Sequence, residues 1–498
     1  MICVRKESLK QKASNFHRCH AGSSPMSTLA CGRVQDMKRI IKNGTVVNDS
    51  GSVKADVLIE GEVIENVAPD IEDPEAEIID AEGKLVLPGA VDAHTHMDLD
   101  VGFTRACDDF YSGTVAAAAG GTTTIIDHMA FGPKGSYPWH QVREYHKLAD
   151  GNAVIDHGFH GVLQEKADER TLSEMKEIAE KEGISSFKLY LTYDLMLHDK
   201  DVFAVLKEAK KDNILITVHC ENDGMVNYLR ERFGNEGKLS AEYHPLSRPA
   251  AAEAEAVNRM AYLASEAGDA PLYIVHLSSN AGLQEVKNIL KRGQKHFGVE
   301  TCPQYLLLDE SLYKDPYLGL KAVMSPPLRK EEDREALWQA LKDDILDTVA
   351  TDHCPFTFKE QKQRGRDDFR NCPNGAPGVE ERLILMYSEG VRKGRISMEQ
   401  LVKYVSANPS RIFGLYPKKG LIAKGADADI VILDQKGVTR FSEETIHGKA
   451  DYSCYEGSEY EGRIETVLQR GRVIFKDGSF LGKRGDGKYL KRGISSLC

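Results

Sequence analysis

Several features that would place a protein in a particular class are missing from this sequence. The ten cysteines include no CxxC pair and form no dense framework, which favours a reduced, cytoplasmic compartment over a disulfide-stabilised secreted protein. No apolar segment is long enough to span a bilayer. The net charge is −11 and the body of the chain has no long basic run, which argues against nucleic acid or an anionic membrane as a partner.

What is present is the composition of a globular protein, with 41% hydrophobic and 28% charged residues over 498 positions. That length suffices for one large domain and a second module. Residues 1–37 differ from the rest because they are rich in serine, basic and nearly free of acidic residues. They lack the apolar core of a secretory signal, and we expect a disordered extension here. A transit peptide is the alternative that this composition leaves open.

The chain divides into β-rich ends and an alternating middle. Short strands and turns, including the hairpin signal Asn43-Gly44, occupy residues 38–87, and similar runs return in residues 413–480. We expect the two ends to form one β-sandwich together. Residues 88–412 alternate eight apolar runs with helical patterns, which predicts an α/β fold with a (β/α)8 TIM barrel. Residues 481–498 are expected to form a C-terminal tail.

A pair of histidines, His94 and His96, ends the first of these apolar runs, residues 85–92, which we predict to be one buried strand. Side chains two positions apart in a strand share a face, so both imidazoles point to one place beyond the strand. Alone, the pair is weak evidence for metal binding, since HxH also arises by chance. A hydrogen-bonded polar pair is the competing interpretation.

Four further polar residues lie in or just after other predicted barrel strands. Each has an ordinary structural explanation by itself, such as a core hydrogen bond or a helix cap. Together with the two histidines they reach the same rim of one barrel, where unpaired burial costs several kcal/mol per group. The sequence therefore predicts a metal site at this rim, built from His94, His96, Lys188, His219, His276 and Asp352.

Lys188 is the most informative of these residues, because a lysine inside a barrel strand is costly unless it is paired. A desolvated lysine loses its proton readily and can add carbon dioxide, giving an anionic carbamate that bridges two metal ions. The alternative is a salt bridge to Asp352. We favour the carbamate, because the surrounding imidazoles suit zinc. Cysteine ligation is disfavoured, because Cys220 follows His219 directly and adjacent strand residues face opposite ways.

The expected ligands divide between two divalent ions, most simply zinc. His94, His96 and Asp352 would bind one ion, His219 and His276 the other, and carbamylated Lys188 would bridge them. Such a pair activates water at neutral pH and polarises a carbonyl. Asp352 can accept the proton of the attacking water and pass it to a leaving nitrogen, which indicates hydrolysis of a C–N bond.

Several longer motifs resemble those of the cyclic amidohydrolases, and within them the dihydropyrimidinase and D-hydantoinase family. The resemblance extends from about Lys38 to about Arg492, and residues 98–110 are similar to the phenylhydantoinase branch of bacteria. It rests on HTH (94–96), FKLYLTY (187–193), VHCEN (218–222), VHLS (275–278), ETCPQYLLLD (300–309), SPPLR (325–329), VATDHCP (349–355) and CPNGAPGVE (372–380).

This resemblance implies a binuclear zinc barrel with a carbamylated lysine, which agrees with the interpretation of the strand ends. It also implies that Tyr193 hydrogen-bonds the developing oxyanion and that Ser325 and Asn374 contact the ring amide. The substrate would be a small cyclic ureide, the product an N-carbamoyl amino acid, and the assembly a homotetramer.

Other members of the superfamily fit the sequence less well. Dihydroorotases carry HxHxR, whereas Asp98 stands at the position of that arginine. Allantoinase-like hydrolysis of another cyclic ureide is an open alternative, although the turn that usually follows HxH in allantoinases is absent. A non-catalytic scaffold homologue is the alternative from another class, and it is disfavoured because all six ligand positions are intact.

Overall fold

The computed structural model describes residues 37–498, so the predicted N-terminal extension lies outside the described residues except for Met37. The N-terminal part begins with seven strands. They are β1 (Lys38–Lys42), β2 (Thr45–Asn48), β3 (Gly51–Lys54), β4 (Asp56–Glu60), β5 (Val63–Ala68), β6 (Glu77–Asp80) and β7 (Leu85–Pro88).

Eight parallel strands follow and form the central sheet. They are β8 (Ala90–Thr95), β9 (Thr122–His128), β10 (Asp156–Val162), β11 (Ser186–Tyr190), β12 (Leu215–His219), β13 (Leu272–Ile274), β14 (Phe297–Thr301) and β15 (Thr348–Val349). Each strand pairs with the next in chain order, and a parallel bridge between Thr95 and His353 connects the first strand to the segment after the last. The predicted (β/α)8 barrel is confirmed.

Helices connect the barrel strands and cover the outside of the barrel. They are α1 (Phe110–Ala119), α2 (Pro138–Ala149), α3 (Glu169–Glu182), α4 (Asp199–Asp212), α5 (Asp223–Asn235), α6 (Tyr243–Ser247), α7 (Ala250–Glu266), α8 (Asn280–Lys291), α9 (Pro303–Leu307), α10 (Glu331–Lys342), α11 (Arg382–Leu385), α12 (Met398–Val402) and α13 (Asn408–Ile412). Shorter 3-10 turns span Glu310–Lys314, Leu318–Ala322, Lys362–Gly365 and Phe369–Asn371, and π-helical turns span Met386–Arg392 and Lys403–Ala407.

Both ends of the chain build the second module. The last strands are β16 (Ile430–Thr439), β17 (Tyr460–Gln469), β18 (Arg472–Lys476) and β19 (Ser479–Phe480). They join β7, β2 and β3 in a seven-stranded sheet, while β5, β4, β1 and β6 form a four-stranded sheet. Apolar side chains from both sheets, including Val57, Val86 and Ile430, pack into one cluster, so the two sheets face each other as a sandwich.

The apolar run 85–92 is not one strand, contrary to the prediction. It divides at Gly89: β7 pairs with β16 in the sandwich sheet, whereas β8 pairs with β9 in the barrel. A Cβ at position 89 would overlap the Thr123 side chain, so the chain passes between the two sheets where only glycine fits. Hydrophobicity alone does not reveal the change of sheet, because both halves of the run are buried.

The C-terminal residues pack against the barrel end opposite the carboxyl ends of the strands. Tyr489 forms a parallel bridge with His157, and the buried Arg492 donates to the Phe159 carbonyl and to Ser186 Oγ. Within residues 37–498 no helix has the length and apolarity needed to cross a membrane. The seven cysteines of this range form no disulfide with one another.

Candidate active site

The predicted site residues lie at the carboxyl ends of the barrel strands. His94 is the penultimate residue of β8, Lys188 is in the middle of β11 and His219 ends β12. His276 and Asp352 follow β13 and β15, and both have positive φ, +42° and +54°, as the chain turns away from the sheet. Because the strands are parallel, these ends meet at one rim, which is where TIM-barrel enzymes carry their active sites.

His94, His96 and Asp352 form a compact group. Asp352 Oδ1 lies 3.1 Å from His94 Nε2 and 3.0 Å from His96 Nε2. All three ligand atoms lie within 4.8 Å of one another. Ligands about 2.0–2.1 Å from a tetrahedral zinc ion are roughly 3.3 Å apart, so the separations suit a shared divalent ion.

His219 and His276 form a second pair. His219 Nδ1 lies 2.9 Å from His276 Nε2, so two ring nitrogens face the same point. The His276 ring centroid is 5.5 Å from that of His94, which places this pair next to the first group. The structure thus brings four predicted histidines and Asp352 together.

Lys188 lies inside the barrel wall between these groups, with 1% of its surface exposed. Burial lowers its pKa to about 8, although Asp352 and Glu300 oppose the shift. Burial also lowers the pKa of His219 and of His276, and the nearby Lys188 charge lowers both further. The alternative salt bridge between Lys188 and Asp352 is not formed in the described part of the chain; the basic groups within 4.0 Å of this carboxylate are the imidazoles of His94 and His96.

The electrostatics of the first group suit a cation. Burial lowers the pKa of His94, but Glu300 and Asp352 outweigh it and raise that pKa to about 9. Burial lowers the pKa of His96 to about 4. The two imidazoles hold the pKa of Asp352 well below its ordinary value, although burial opposes this. A metal ion between His94 and Asp352 would replace the proton that this arrangement attracts.

Two buried carboxylates orient the histidines, and neither was predicted from the sequence. Glu300 Oε1 lies 2.6 Å from His94 Nδ1 and accepts the His276 backbone N–H at 3.1 Å. Glu221 Oε2 lies 2.8 Å from His219 Nε2. Metal-binding histidines ordinarily have such a partner on the ring nitrogen that faces away from the ion. Their positions were a usable signal: Glu300 lies near the end of β14, and Glu221 follows His219 by two residues.

Tyr193 stands beside the second pair, and its backbone φ is +84°. Its ring centroid is 5.4 Å from that of His219, and the Arg248 guanidinium lies 5.6 Å from the ring centre. Arg248 is buried and also hydrogen-bonds Glu221. Burial raises the pKa of Tyr193 and the Arg248 charge lowers it, so the phenol stays protonated and able to donate.

Ser325 and Asn374 lie on two loops that touch. The Gly375 N–H donates to the Val323 carbonyl at 3.0 Å, which joins the two loops. Ser325 is 9% exposed, and its Oγ has no hydrogen-bond partner among the described residues. Asn374 is partly buried. A buried hydroxyl without a partner is available to a ligand.

Other polar residues near the rim have structural contacts. His353 Nε2 lies 3.0 Å from Asp108 Oδ2, away from the metal-facing atoms. His160 lies 2.9 Å from the Ala93 carbonyl and 2.7 Å from Ser186 Oγ, so its ring supports β8 and β11. The His128 ring stacks on that of His160 at 4.1 Å between centroids, and its centroid lies 4.4 Å from that of His94.

Comparisons with known proteins give the family. A model of the amidohydrolase family matches residues 85–474. The chain belongs to this family. It is 48% identical to a D-phenylhydantoinase of Escherichia coli O1:K1 over 458 residues, which cover 92% of this chain and 98% of that protein. The relationship to the dihydropyrimidinases and D-hydantoinases inferred from the motifs is confirmed.

Solved structures of amidohydrolase relatives superpose along nearly the whole described chain. The dihydropyrimidinase from Brevibacillus agri NCHU1002 has a TM-score of 0.90 and 42% identity, and the alignment covers 92% of this chain and 100% of that one. The D-hydantoinase from Bacillus sp. AR9 has a TM-score of 0.89 and 42% identity, with 92% and 99% covered. Membership of this family implies a divalent metal site, and the group of His94, His96 and Asp352 fits one.

Proposed function

We propose that this protein is a metal-dependent hydrolase that opens the cyclic amide bond of hydantoins and dihydropyrimidines and releases N-carbamoyl amino acids. The observation that carries the proposal is the convergence of four histidines, Asp352 and the buried Lys188 at one end of the barrel. The names of the relatives, D-phenylhydantoinase and dihydropyrimidinase, supply the substrate class.

We assign the first ion to His94, His96 and Asp352, and the second to His219 and His276. Carbamylated Lys188 would bridge them, and zinc suits this mixture of imidazole and carboxylate ligands. When bound, the ions activate water at neutral pH and polarise the scissile carbonyl. The carbamate forms when the neutral Lys188 amine adds to carbon dioxide and releases one proton. A lysine pKa near 8 leaves a usable fraction of neutral amine at pH 7.

Four side chains have separate roles in ring opening. Asp352 accepts the proton of the attacking water as the new C–O bond forms, and returns it to the ring nitrogen as the C–N bond breaks. Tyr193 donates a hydrogen bond to the oxyanion of the tetrahedral intermediate. Ser325 and Asn374 bind the ring amide and fix its orientation.

The quaternary structure and compartment follow from the family resemblance and from the cysteine content. We propose a cytoplasmic homotetramer. Light scattering coupled to size-exclusion chromatography would give a mass close to four times 55.3 kDa if the assembly is correct. A monomeric mass at micromolar concentration would contradict it.

The first experiment is ring-opening kinetics on four substrates, with zinc and bicarbonate present: dihydrouracil, 5-phenylhydantoin, allantoin and dihydroorotate. We expect the highest kcat/KM on one of the first two. An Asp352→Asn variant serves as control, since it keeps the size of the side chain but removes the proton acceptor, and we expect it to be inactive.

Each other outcome has a distinct meaning. Preference for allantoin would replace the proposed substrate with another cyclic ureide. If protein that is shown to contain metal hydrolyses none of the four substrates, the proposed substrate class is wrong. A scaffold function would then account better for the molecule, and the bound metal would be structural.

A further inference from the structure

The loop that carries Ser325 is held by side chains from four different parts of the chain. Four of its backbone carbonyls, within residues 322–326, accept hydrogen bonds from buried donors. The pairs are Tyr313 Oη to Ala322 O at 2.7 Å, Lys362 Nζ to Val323 O at 2.7 Å, His244 Nε2 to Met324 O at 2.7 Å and Tyr305 Oη to Pro326 O at 2.8 Å. Such density of side-chain donors fixes a loop that has no regular secondary structure.

Lys362 differs from the other three donors because it holds two loops at once. Its Nζ donates to the Val323 carbonyl and also, at 2.9 Å, to the Pro373 carbonyl. Val323 precedes Ser325 by two residues, and Pro373 directly precedes Asn374. One ammonium group therefore joins the backbone near Ser325 to the backbone next to Asn374, and these are the two residues predicted to contact the ring amide.

The energetics argue that this connection has a purpose beyond packing. Lys362 is fully buried, and both of its acceptors are neutral carbonyls, not carboxylates. Burial lowers its pKa, which reports the cost of holding a charge there. An apolar side chain of equal volume would fill the same space without desolvating an amine. What such a side chain could not supply is the pair of hydrogen bonds between the loops.

We propose that Lys362 is a positioning residue for substrate binding. Together with the backbone hydrogen bond from Gly375 to Val323, it sets the separation of the Ser325 and Asn374 loops so that the two side chains meet the same ring amide, and it acts on the substrate only through them. This inference rests on the proposed function, because it uses the substrate contacts assigned there. The metal-binding residues lie on other elements, so the metal centre should not depend on Lys362.

The test compares Lys362→Met with Lys362→Gln on whichever panel substrate the wild type prefers. Methionine keeps the volume and removes the donors, whereas glutamine keeps two N–H donors on a side chain one atom shorter. For Lys362→Met we expect KM to rise about tenfold while kcat changes less than about threefold, the pattern of binding energy lost equally from the ground state and the transition state. Metal content should equal that of the wild type. Lys362→Gln should restore part of the substrate affinity, with a KM between those of Lys362→Met and the wild type.

Tyr404→Phe is the matched control for removing a buried donor. The Tyr404 hydroxyl donates to the Leu341 carbonyl and lies 2.5 Å from Asp344 Oδ1, and none of these residues belongs to either substrate loop. It should alter thermal stability and leave KM unchanged. A double-mutant cycle with Ser325→Ala adds a second readout. If Lys362 acts through Ser325, the KM of the double variant should rise by less than the product of the two single-variant fold-changes.

The outcomes separate this inference from the proposed function. If the wild type opens none of the four rings, the proposed function fails regardless of Lys362. If the wild type is active and Lys362→Met has an unaltered KM, or loses metal and kcat together, the positioning role is wrong. Should Lys362→Met not fold, Lys362→Leu carries the same test, because the smaller side chain leaves room for water at the two carbonyls.

Discussion

At the scale of single residues, the buried lysines distinguish structural positions from functional ones. Three lysines are buried among the described residues, Lys188, Lys362 and Lys419. Lys419 is paired with three aspartates, and Lys362 has two carbonyl acceptors. Lys188 has neither arrangement and lies among histidines, which is why we propose a functional role for it and not a structural one.

The first prediction concerns Lys188. Lys188→Ala should lose bound metal and activity together, because no other residue can supply the bridging carbamate. Metal per chain by mass spectrometry and ring-opening rate are the measurements. Lys207→Ala, on the exposed face of α4, is the control and should retain both. A Lys188→Ala protein with normal metal content and normal turnover would show that the carbamate is not needed.

Glu300 provides a second prediction at this scale. Glu300→Gln should weaken metal binding about 10- to 100-fold, because the amide orients His94 less firmly than the carboxylate at 2.6 Å. Competition with a chelator measures the affinity. Glu381→Gln is the control, since Glu381 is equally buried but bonds Ser453 and not a predicted ligand. Equal affinities in the two variants would remove Glu300 from the metal-supporting residues.

At the scale of elements, a single glycine decides how sandwich and barrel are connected. Gly89 separates β7 from β8, and the space beside it is filled by Thr123 at the start of β9. The parallel register of β8 and β9 depends on this close approach, because Ala90 pairs with Thr122 directly afterwards. Since β8 carries His94, the position of the metal site depends on this junction.

We therefore expect Gly89→Ala to destabilise the protein by about 1–3 kcal/mol, the usual cost of overpacking a filled core. The shift of the chemical unfolding midpoint measures it. Gly224→Ala, in the first turn of α5, is the control, since its added Cβ would meet only Asn222 Oδ1 at 3.5 Å. Equal midpoints for both variants would mean that the β7–β8 junction relaxes freely.

At the scale of the whole molecule, a buried ionic network connects the sandwich side to the barrel. Lys419 Nζ lies 2.7 Å from both Asp156 Oδ2 and Asp429 Oδ2, and Arg470 also bonds Asp156. Asp156 begins barrel strand β10, whereas Asp429 and Arg470 flank sandwich strands β16 and β17. The four charges are fully enclosed, so they compensate one another only while the two modules stay docked.

The corresponding prediction is that Lys419→Met lowers the free energy of unfolding by about 3–5 kcal/mol, because it leaves buried carboxylates without a cation. Lys424→Met is the control: Lys424 also pairs with an acid, Glu65, but its side chain is 69% exposed, and we expect a loss within about 1 kcal/mol. Unfolding monitored by circular dichroism would show the difference. Similar small losses in both would mean that water reaches the Lys419 network.

The sequence by itself determined the barrel, the two-ended sandwich and the position of the candidate ligands at the strand ends. It did so because period-two and helical patterns are local, and because strand ends of a parallel barrel must meet at one rim. These same rules located His94, His219 and Asp352 without any contact information.

Only the tertiary structure decided which residues orient the candidate ligands and the loops around them. Glu300 reaches His94 from another strand, Arg248 reaches both Glu221 and Tyr193, and Lys362 joins two loops through their backbones. The position of Glu300 near the end of β14 indicates that it lies near the rim, but no spacing in the chain pairs it with His94, Arg248 with Tyr193, or Lys362 with the two loops. The division of residues 85–92 at Gly89 was hidden for a related reason: both halves of the run are buried, and only the strand pairing, β7 with β16 and β8 with β9, distinguishes them.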